Sequence, residues 1–488
     1  MTLEHPAHSF QPPRRPAPRP VRRAAASVAA VAAALLAGCA APPAHTPPAL
    51  LPMPAAFKEA GASWAPAAPA DTLERGPWWE LFGDPDLNRL AQQVQVSNQN
   101  IAAAVAAYAQ AQAVVRQQRA GLFPAVSVSG SATRAGGDGS TRPGTTTQAA
   151  LGVDWAPDLW GRLQGAVDGA RASAQASEAD LASARLSALG ALASAYFQLR
   201  EADAETELLQ ATVEGYDRSL TIARNRYAAG VVAQTDVLQA QTQLANARAD
   251  LATVRQTRAR LEHAVAVLTG RAPADFSLPP GPWVARVPEV PVGVPSGLLQ
   301  RRPDIAAAER AVAAANAQIG IQRAAFFPNL SLGASLGTGG TSVGDLFKAS
   351  NLVWSLGVSV AQTLFDAGAR AARVDEAQAA WEARVAVYRQ TVLTAFQGVE
   401  DQLTGLRTLQ EQEPLRREAV AAAQRTAEQL LNRYREGQVG YTEVVTAQVS
   451  LLSAQRALLQ LQVNRQLAAV ALVQALGGGW QAPWPSPA

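Results

Sequence analysis

Residues 225–244 read NRYAAGVVAQTDVLQAQTQL, and residues 432–451 read NRYREGQVGYTEVVTAQVSL. The two stretches share Asn, Arg, Tyr, Gly, Val, Thr, Ala, Gln and Leu at matching places, and the identities continue to Leu251 and Leu458. Upstream, RAGLFP at 119–124 matches RAAFFP at 323–328. Long-range self-similarity of this kind indicates an internal duplication.

The duplication divides the chain into successive segments. We expect a first structural repeat over residues 76–275, a second over 304–477, and a proline-rich extended linker at 276–303 between them. A Pro- and Ala-rich segment at 39–75 precedes the repeats, and a tail at 478–488 follows them.

The sequence of each repeat predicts a helix, two strands, a long helix and a further helix, in that order. Apolar residues at spacings of four and three predict a coiled-coil seam in each long helix, with members Leu209, Val213, Tyr216, Leu220, Ala223 and Tyr227, then Val392, Phe396, Val399, Leu403 and Leu406. A helix from Arg162 to Ala229 would be about 100 Å long. Pro414 predicts an interruption and a kink in the second long helix.

The strand segments alternate with a period of two. Val126, Val128, Leu330 and Leu332 alternate with serine or glycine, and 149–157 and 352–364 continue the pattern. Their length suits tilted outer-membrane strands, and Gly/Ser/Thr-rich loops at 134–148 and 338–350 would join them. A soluble sandwich can use such strands, but four strands cannot close a barrel. In lipid, closure would therefore need several chains.

The amino-terminal residues predict export and lipidation. Five arginines precede an apolar run, 24–37, that is too short to span a bilayer, so residues 1–38 are interpreted as a cleaved signal peptide. Leu36-Ala37-Gly38-Cys39 resembles the lipobox of bacterial lipoproteins, and Cys39 is the only cysteine. We therefore expect lipid attachment at Cys39, and Ala40 favours the outer membrane by the same resemblance.

Composition argues against nucleic-acid binding. The whole chain has a formal charge of +3, but the predicted signal holds five Arg and one Glu, which leaves 37 basic and 38 acidic side chains. No basic patch remains to contact phosphates. No stretch after Ala37 has about 18 consecutive apolar residues, so no transmembrane helix is expected.

Three motifs resemble one known family. They are Trp78–Pro85 (WWELFGDP), 293–305 (GVPSGLLQRRPDI) and Leu364–Gly368 (LFDAG). Together with the repeated Arg-Tyr-x-x-Gly turn they resemble TolC-like outer membrane factors, in particular OprM/NodT-type lipoproteins. The resemblance implies a mostly α fold with a small membrane β part: a homotrimer with a twelve-stranded β-barrel and a twelve-helix periplasmic α-barrel. It also implies a periplasmic adaptor, an inner-membrane pump of the resistance-nodulation-division type, and no cofactor, metal or catalytic step.

The same resemblance assigns roles to the repeated turns. The periplasmic tip and adaptor contacts would be Tyr227, Gly230, Thr235, Tyr434, Gly437, Gly440 and Thr442. Asp236 and Glu443, nine residues beyond the tip tyrosines, resemble acidic residues of the aperture and would form a ring. Twelve residues beyond the same tip tyrosines are Gln239 and Thr446, at positions where many relatives have another aspartate. Helix capping and ordinary solvated charges are the alternative interpretations of these residues.

The sequence also contains patterns that belong to other classes of function. Gly333-Ala-Ser335-Leu-Gly337 fits the nucleophile-elbow formula, but Ser335 lies in an alternating strand and no histidine follows His263. The four histidines lack metal-ligand spacing. A channel for protein secretion or for metal cations, a non-conducting structural lipoprotein and a plain coiled coil remain alternatives. The predicted function is a passive outer-membrane channel for drugs or other small molecules in a tripartite efflux system.

Overall fold

A computed structural model describes residues 57–59, 77–136, 144–288 and 301–478. The predicted signal, Cys39 and the carboxy-terminal tail from 479 lie outside these residues. The helices are α1 Pro85–Ser97, α2 Gln99–Ala120, α3 Arg162–Ala228, α4 Gln234–Leu268, α5 Pro303–Ala324, α6 Ala369–Arg435 and α7 Tyr441–Ala475. The strands are β1 Ala125–Ala135, β2 Gly144–Trp155, β3 Asn329–Gly340 and β4 Leu352–Ala361.

The two repeats have helices of equal length. The first helices, α2 and α5, have 22 residues each. The long helices α3 and α6 have 67, and α4 and α7 have 35. The predicted duplicated unit of helix, two strands and two helices is therefore confirmed, and α3 begins at the predicted Arg162.

The predicted interruption of the second long helix at Pro414 is wrong, whereas the kink stays a prediction. Helix α6 continues through this residue, which lies on an exposed face. Proline removes one backbone donor, but an exposed carbonyl can be hydrated. Next to it, Glu413 pairs with Arg417 on α6 and Arg465 on α7, so side-chain contacts hold both sides of the proline.

The four strands form one antiparallel sheet in the order β1-β2-β3-β4. The strands are longer than predicted at their outer ends: Arg134 and Ala135 belong to β1, and residues 144–148 belong to β2. The predicted loop at 338–350 is partly ordered, because β3 runs to Gly340 and a short 3-10 helix spans Val343–Phe347.

The sheet has two chemically different faces. One cross-strand row reads Val128, Leu151, Leu336 and Trp354, and the next reads Val126, Val153, Ala334 and Leu356. The rows between them carry small or polar residues, such as Ser127, Gly152, Ser335 and Ser355. We call these the apolar face and the polar face. Strands β1 and β4 are the edges, and neither has a second partner strand among the described residues.

The main core lies midway along the long helices. Leu192 and Leu199 of α3, Val399 and Leu403 of α6, and Val470 of α7 are at most 1% exposed. The predicted seam is correct in its middle, but Tyr227 is 45% exposed.

A buried arginine attaches the linker to this core. Arg200 donates to Asp86, to Asp203 and to the carbonyl of Pro279, each at 2.9–3.0 Å. Further along, Trp283 Nε1 donates to Gln466 on α7 at 2.9 Å. The described part of the linker, residues 276–288, is therefore fixed against α3 and α7.

The described amino-terminal residues, 57–59, also lie against the middle part of the long helices. Phe57 is 6% exposed and its ring lies 6.4 Å from that of Phe396. The backbone amides of Lys58 and Glu59 donate to the carboxylate of Glu400 at 2.7 and 2.9 Å. This segment is thus held against the middle of α6.

Within the described ranges, none of the helices combines the length and apolarity that crossing a bilayer requires.

Candidate functional site

The candidate site is the end of the molecule where both hairpins turn, residues 226–236 and 433–443, which we call the hairpin end. Gly230 and Gly437 have φ values of +70° and +80°, a conformation that favours glycine. Each follows directly on the last turn of a long helix, as the sequence predicted. Gly440 precedes α7 in an extended conformation, with φ of −78°.

Tyr434 links the two hairpins. Its side chain is only 1% exposed, its ring lies 5.2 Å from that of Tyr441, and its hydroxyl donates to Asp236 Oδ2 at 3.2 Å. Burial, together with the charge of Asp236, raises the pKa of Tyr434 to about 12. The hydroxyl therefore keeps its proton at neutral pH and remains a donor to the carboxylate.

Arg226 makes a second link between the same hairpins. Its Nη1 donates to the carbonyls of Tyr434 and Arg435 at 2.6 and 2.7 Å, and its guanidinium lies 4.9 Å from the Tyr434 ring centre. These carbonyls belong to the last turn of α6, where a cation also interacts well with the helix dipole. A residue of the first repeat thus caps a helix of the second.

The repeat equivalents of these residues are placed differently. Tyr227, which corresponds to Tyr434, is 45% exposed, and Arg433, which corresponds to Arg226, donates to its near neighbour Gln438 at 3.4 Å. The difference follows from Tyr441, which is 1% exposed and packs on Tyr434, whereas the first repeat has Gln234 at that place. Identical Asn-Arg-Tyr sequences therefore have different environments.

The two proposed aperture carboxylates also differ. Asp236 is half-buried and accepts the Tyr434 hydroxyl, whereas Glu443 is exposed and has no side-chain hydrogen bond within the described part of the chain. Glu443 lines a groove between α6 and α7 together with Thr426, Leu430 and Thr446. The structure brings Asp236 and Tyr434 together and leaves Glu443 apart from them.

The predicted adaptor-contact residues are mostly on the surface. Thr235 and Thr442 are exposed, as are both turn glycines and Gly440. Thr442 Oγ1 lies 3.3 Å from Gln239 Oε1, which joins the hairpins a third time. Tyr434 is the exception, since its buried ring is not available to a partner in this conformation.

A polar layer lies farther up the hairpins. Gln448 donates to Ser219 at 3.3 Å, and Arg456 of α7 pairs with Glu205 of α3 at 2.7 Å and Asp250 of α4 at 3.1 Å. Sequence reasoning missed Arg226, Tyr441 and Arg456. Arg226 and Tyr441 stood inside the quoted repeats, but nothing in the pattern showed that both would pack on Tyr434.

The chain matches the sequence profile described as "Outer membrane efflux protein" over residues 90–271 and 294–478. The chain belongs to this outer membrane efflux protein family. It is 35% identical over 453 residues to the "Probable efflux pump outer membrane protein TtgC" of Pseudomonas putida, covering 91% of this chain and 93% of that protein. It is 29% identical over 451 residues to the "Cation efflux system protein CusC" of Escherichia coli, covering 91% and 96%.

Solved structures agree with this assignment. The outer-membrane channel OprN superposes with a TM-score of 0.81 at 31% identity, over 89% of this chain and 99% of that one. This chain is therefore a channel component of an efflux system, located in the outer membrane, and not an enzyme. Accordingly, Ser335 of the apparent nucleophile elbow lies within β3, with its Oγ 2.8 Å from that of Ser355.

Proposed function

We propose that three copies of this chain close a twelve-stranded barrel, continued into the periplasm by twelve helices, as a passive efflux channel. The observation that carries the proposal is a four-stranded sheet with one apolar face and two edges that no other described strand pairs with. An open edge is not tolerated in lipid, and eight strands from two copies would be filled by their own side chains. The experiment is a mass measurement in detergent combined with conductance in planar bilayers. A stable monomer that conducts fully would contradict the proposal.

We also propose that the hairpin end is the closed periplasmic aperture, opened when an adaptor binds. Support comes from the three links between the hairpins, at Tyr434, Arg226 and Thr442, and from the exposed turns beside them. An adaptor would contact Tyr227, Gly230, Thr235, Gly437, Gly440 and Thr442, and would connect the channel to an inner-membrane pump of the resistance-nodulation-division type. Site-specific photocrosslinking from Thr235 and Thr442 tests this contact in cells. Capture of a periplasmic protein at neither position would exclude it.

The proposed cargo is small organic molecules. Two relatives at 35% identity are named for antibiotic and toluene efflux, both from Pseudomonas putida, whereas the cation efflux relative is 29% identical. A strain lacking the gene should lose tolerance to toluene or antibiotics and keep tolerance to metal salts. The reverse result would favour the cation channel.

Lipid attachment at Cys39 is the remaining part of the proposal, and chain length supports it. Glu400, which holds Lys58 and Glu59, lies 31 residues into α6, about 47 Å from the strand end of that helix. The 18 residues from Cys39 to Phe57 can reach about 60 Å when extended. An anchor at the membrane is therefore within reach. Labelled palmitate should enter the wild-type chain and not Cys39→Ser; equal labelling would defeat this part alone.

A further inference from the structure

We propose that the short helix Val343–Phe347, in the β3–β4 connection, is a lipid-contacting anchor that inserts Phe347 and Val343 into the outer leaflet of the membrane. This inference rests on the proposed barrel, with the apolar face of the sheet toward lipid. It concerns a segment outside the strands, for which the family assignment gives no role.

The helix lies over the apolar face of the sheet. Gly340 is in register with Thr147 of β2, and both belong to the same side of the pleat as Leu336 and Leu151. A Cβ added to Gly340 would overlap with the Cβ of Asp345, and Thr147 is only 7% exposed. The chain therefore folds back over the outside of the sheet, and not over the polar face that would line a channel.

Its position continues the apolar band. Thr338 of β3 is opposite Leu352 of β4, which is 54% exposed, and Gly340 is only two residues farther, about 7 Å along the strand. Trp354 in the row below is 73% exposed. The helix thus lies at the outer margin of the band, where barrels of the outer membrane place aromatic residues.

The helix presents apolar side chains and satisfies its own polar groups. Phe347 is 87% exposed and Val343 is 65% exposed. The carboxylate of Asp345 accepts from the backbone amides of Thr341 and Ser342 at 3.0 and 2.9 Å, and pairs with Lys348 at 2.6 Å. The turn is therefore rigid without a partner, and its one carboxylate is neutralised within it.

The side chain of Phe347 is better placed to contact lipid than to contact a neighbouring copy of the chain. The helix contacts β2 and β3, the two central strands, whereas other copies would join at β1 and β4. With strands about 4.8 Å apart, the nearest strand of another copy would lie roughly 10 Å to the side of β3. The surface that faces Phe347 directly is the membrane.

The test is electron paramagnetic resonance of spin-labelled Phe347→Cys, assembled in phosphatidylcholine vesicles. Relative collision rates with oxygen and with a water-soluble nickel chelate report whether the label is in lipid or in water. Val358→Cys, in the middle of the apolar face and 68% exposed, is the lipid reference, and Ser350→Cys, exposed in the same connection, is the aqueous reference. The wild-type chain, treated in parallel, gives the background from Cys39.

We expect the label at 347 to resemble that at 358, with oxygen favoured over nickel, and the label at 350 to show the opposite. A label at 347 as accessible to nickel as that at 350 would overturn the inference while leaving the barrel intact. Strong spin–spin coupling between labels at 347 would assign the site to a neighbouring copy and would also overturn it. If the label at 358 is itself accessible to nickel, the apolar face of the sheet does not face lipid. The proposed orientation of the sheet then fails, and this inference fails with it.

Discussion

The hydroxyl of Tyr434 donates to the carboxylate of Asp236 at 3.2 Å, although 198 residues separate them in the chain. Tyr434 lies in the last turn of α6 in the second repeat, and Asp236 lies in the first turn of α4 in the first repeat. Separating the two hairpins at this end requires breaking that contact.

We expect Tyr434→Phe to raise the conductance of the resting channel. The change keeps the buried ring and removes a hydrogen bond to a charged group, a contact worth about 1.5–3 kcal/mol. If that energy favours the closed state, the open fraction should rise by about tenfold or more. Tyr227→Phe, at the equivalent and exposed position of the first repeat, is the matched control. Equal conductance of both variants in planar bilayers would show that Tyr434 does not hold the end closed.

Arg226→Lys should loosen the last turn of α6. Lysine keeps the charge but lacks the planar fork that contacts two carbonyls and lies over the Tyr434 ring. Backbone amides of residues 434–438 should then exchange hydrogen faster. Arg433→Lys should change them little, because Arg433 contacts Gln438 at 3.4 Å in its own hairpin. Unchanged exchange in Arg226→Lys would mean that the helix end needs no cap from the first repeat.

Glu443→Gln should lower the cation preference of the channel more than Asp236→Asn does. Glu443 is exposed, whereas Asp236 is already engaged by Tyr434, and asparagine still offers an oxygen to that hydroxyl. The reversal potential under a salt gradient measures the preference. In the double variant, the loss of cation preference should not exceed the sum of the losses in the two single variants. Wild-type selectivity in the double variant would mean that the narrowest part of the channel lies elsewhere.

The acidic side chain of Glu201 predicts a pH dependence of stability. Burial, with a smaller contribution from Glu205, raises the pKa of Glu201 from 4.5 to about 7. Between these two values the unfolded chain loses a proton that the folded chain keeps, so the stability contributed by this residue falls as pH rises and is lowest above about 7. Glu201→Gln should therefore raise the unfolding temperature at pH 8 and change it little at pH 4. Glu214→Gln, at an exposed position, is the control, and a loss of stability at pH 8 in Glu201→Gln would refute the assignment.

Periodicity alone predicted most of the architecture. Val399 and Leu403 were predicted as seam residues and are buried, because a repeated apolar spacing describes helix contacts directly. Alternation in β1 and β4 likewise predicted which side chains share a face. The helix at Val343–Phe347 was missed, although Ser342 and Asp345 have the spacing of a capping box and form one.

The hairpin end was harder to predict because its contacts are tertiary. Nothing in the sequence distinguishes Tyr227 from Tyr434 within their Asn-Arg-Tyr motifs, yet one is exposed and the other buried. The distinction depends on Tyr441 and on how one hairpin lies against the other. At Pro414 the local sequence predicted a break that the structure does not have. The helix continues there, because Pro414 is exposed and the side chain of Glu413 pairs with Arg465.

The Arg226 cap has a consequence for the history of the duplication. A complex assembled from six copies of a single ancestral unit would have six identical hairpins, and each arginine and tyrosine would meet the same surroundings. In the proposed trimer, two units fused in one chain leave threefold symmetry in place of sixfold, so each half of the chain can differ from the other. Tyr441 in one half and Gln234 in the other are such a divergence, and with it the equivalent tyrosines, Tyr434 and Tyr227, have different surroundings.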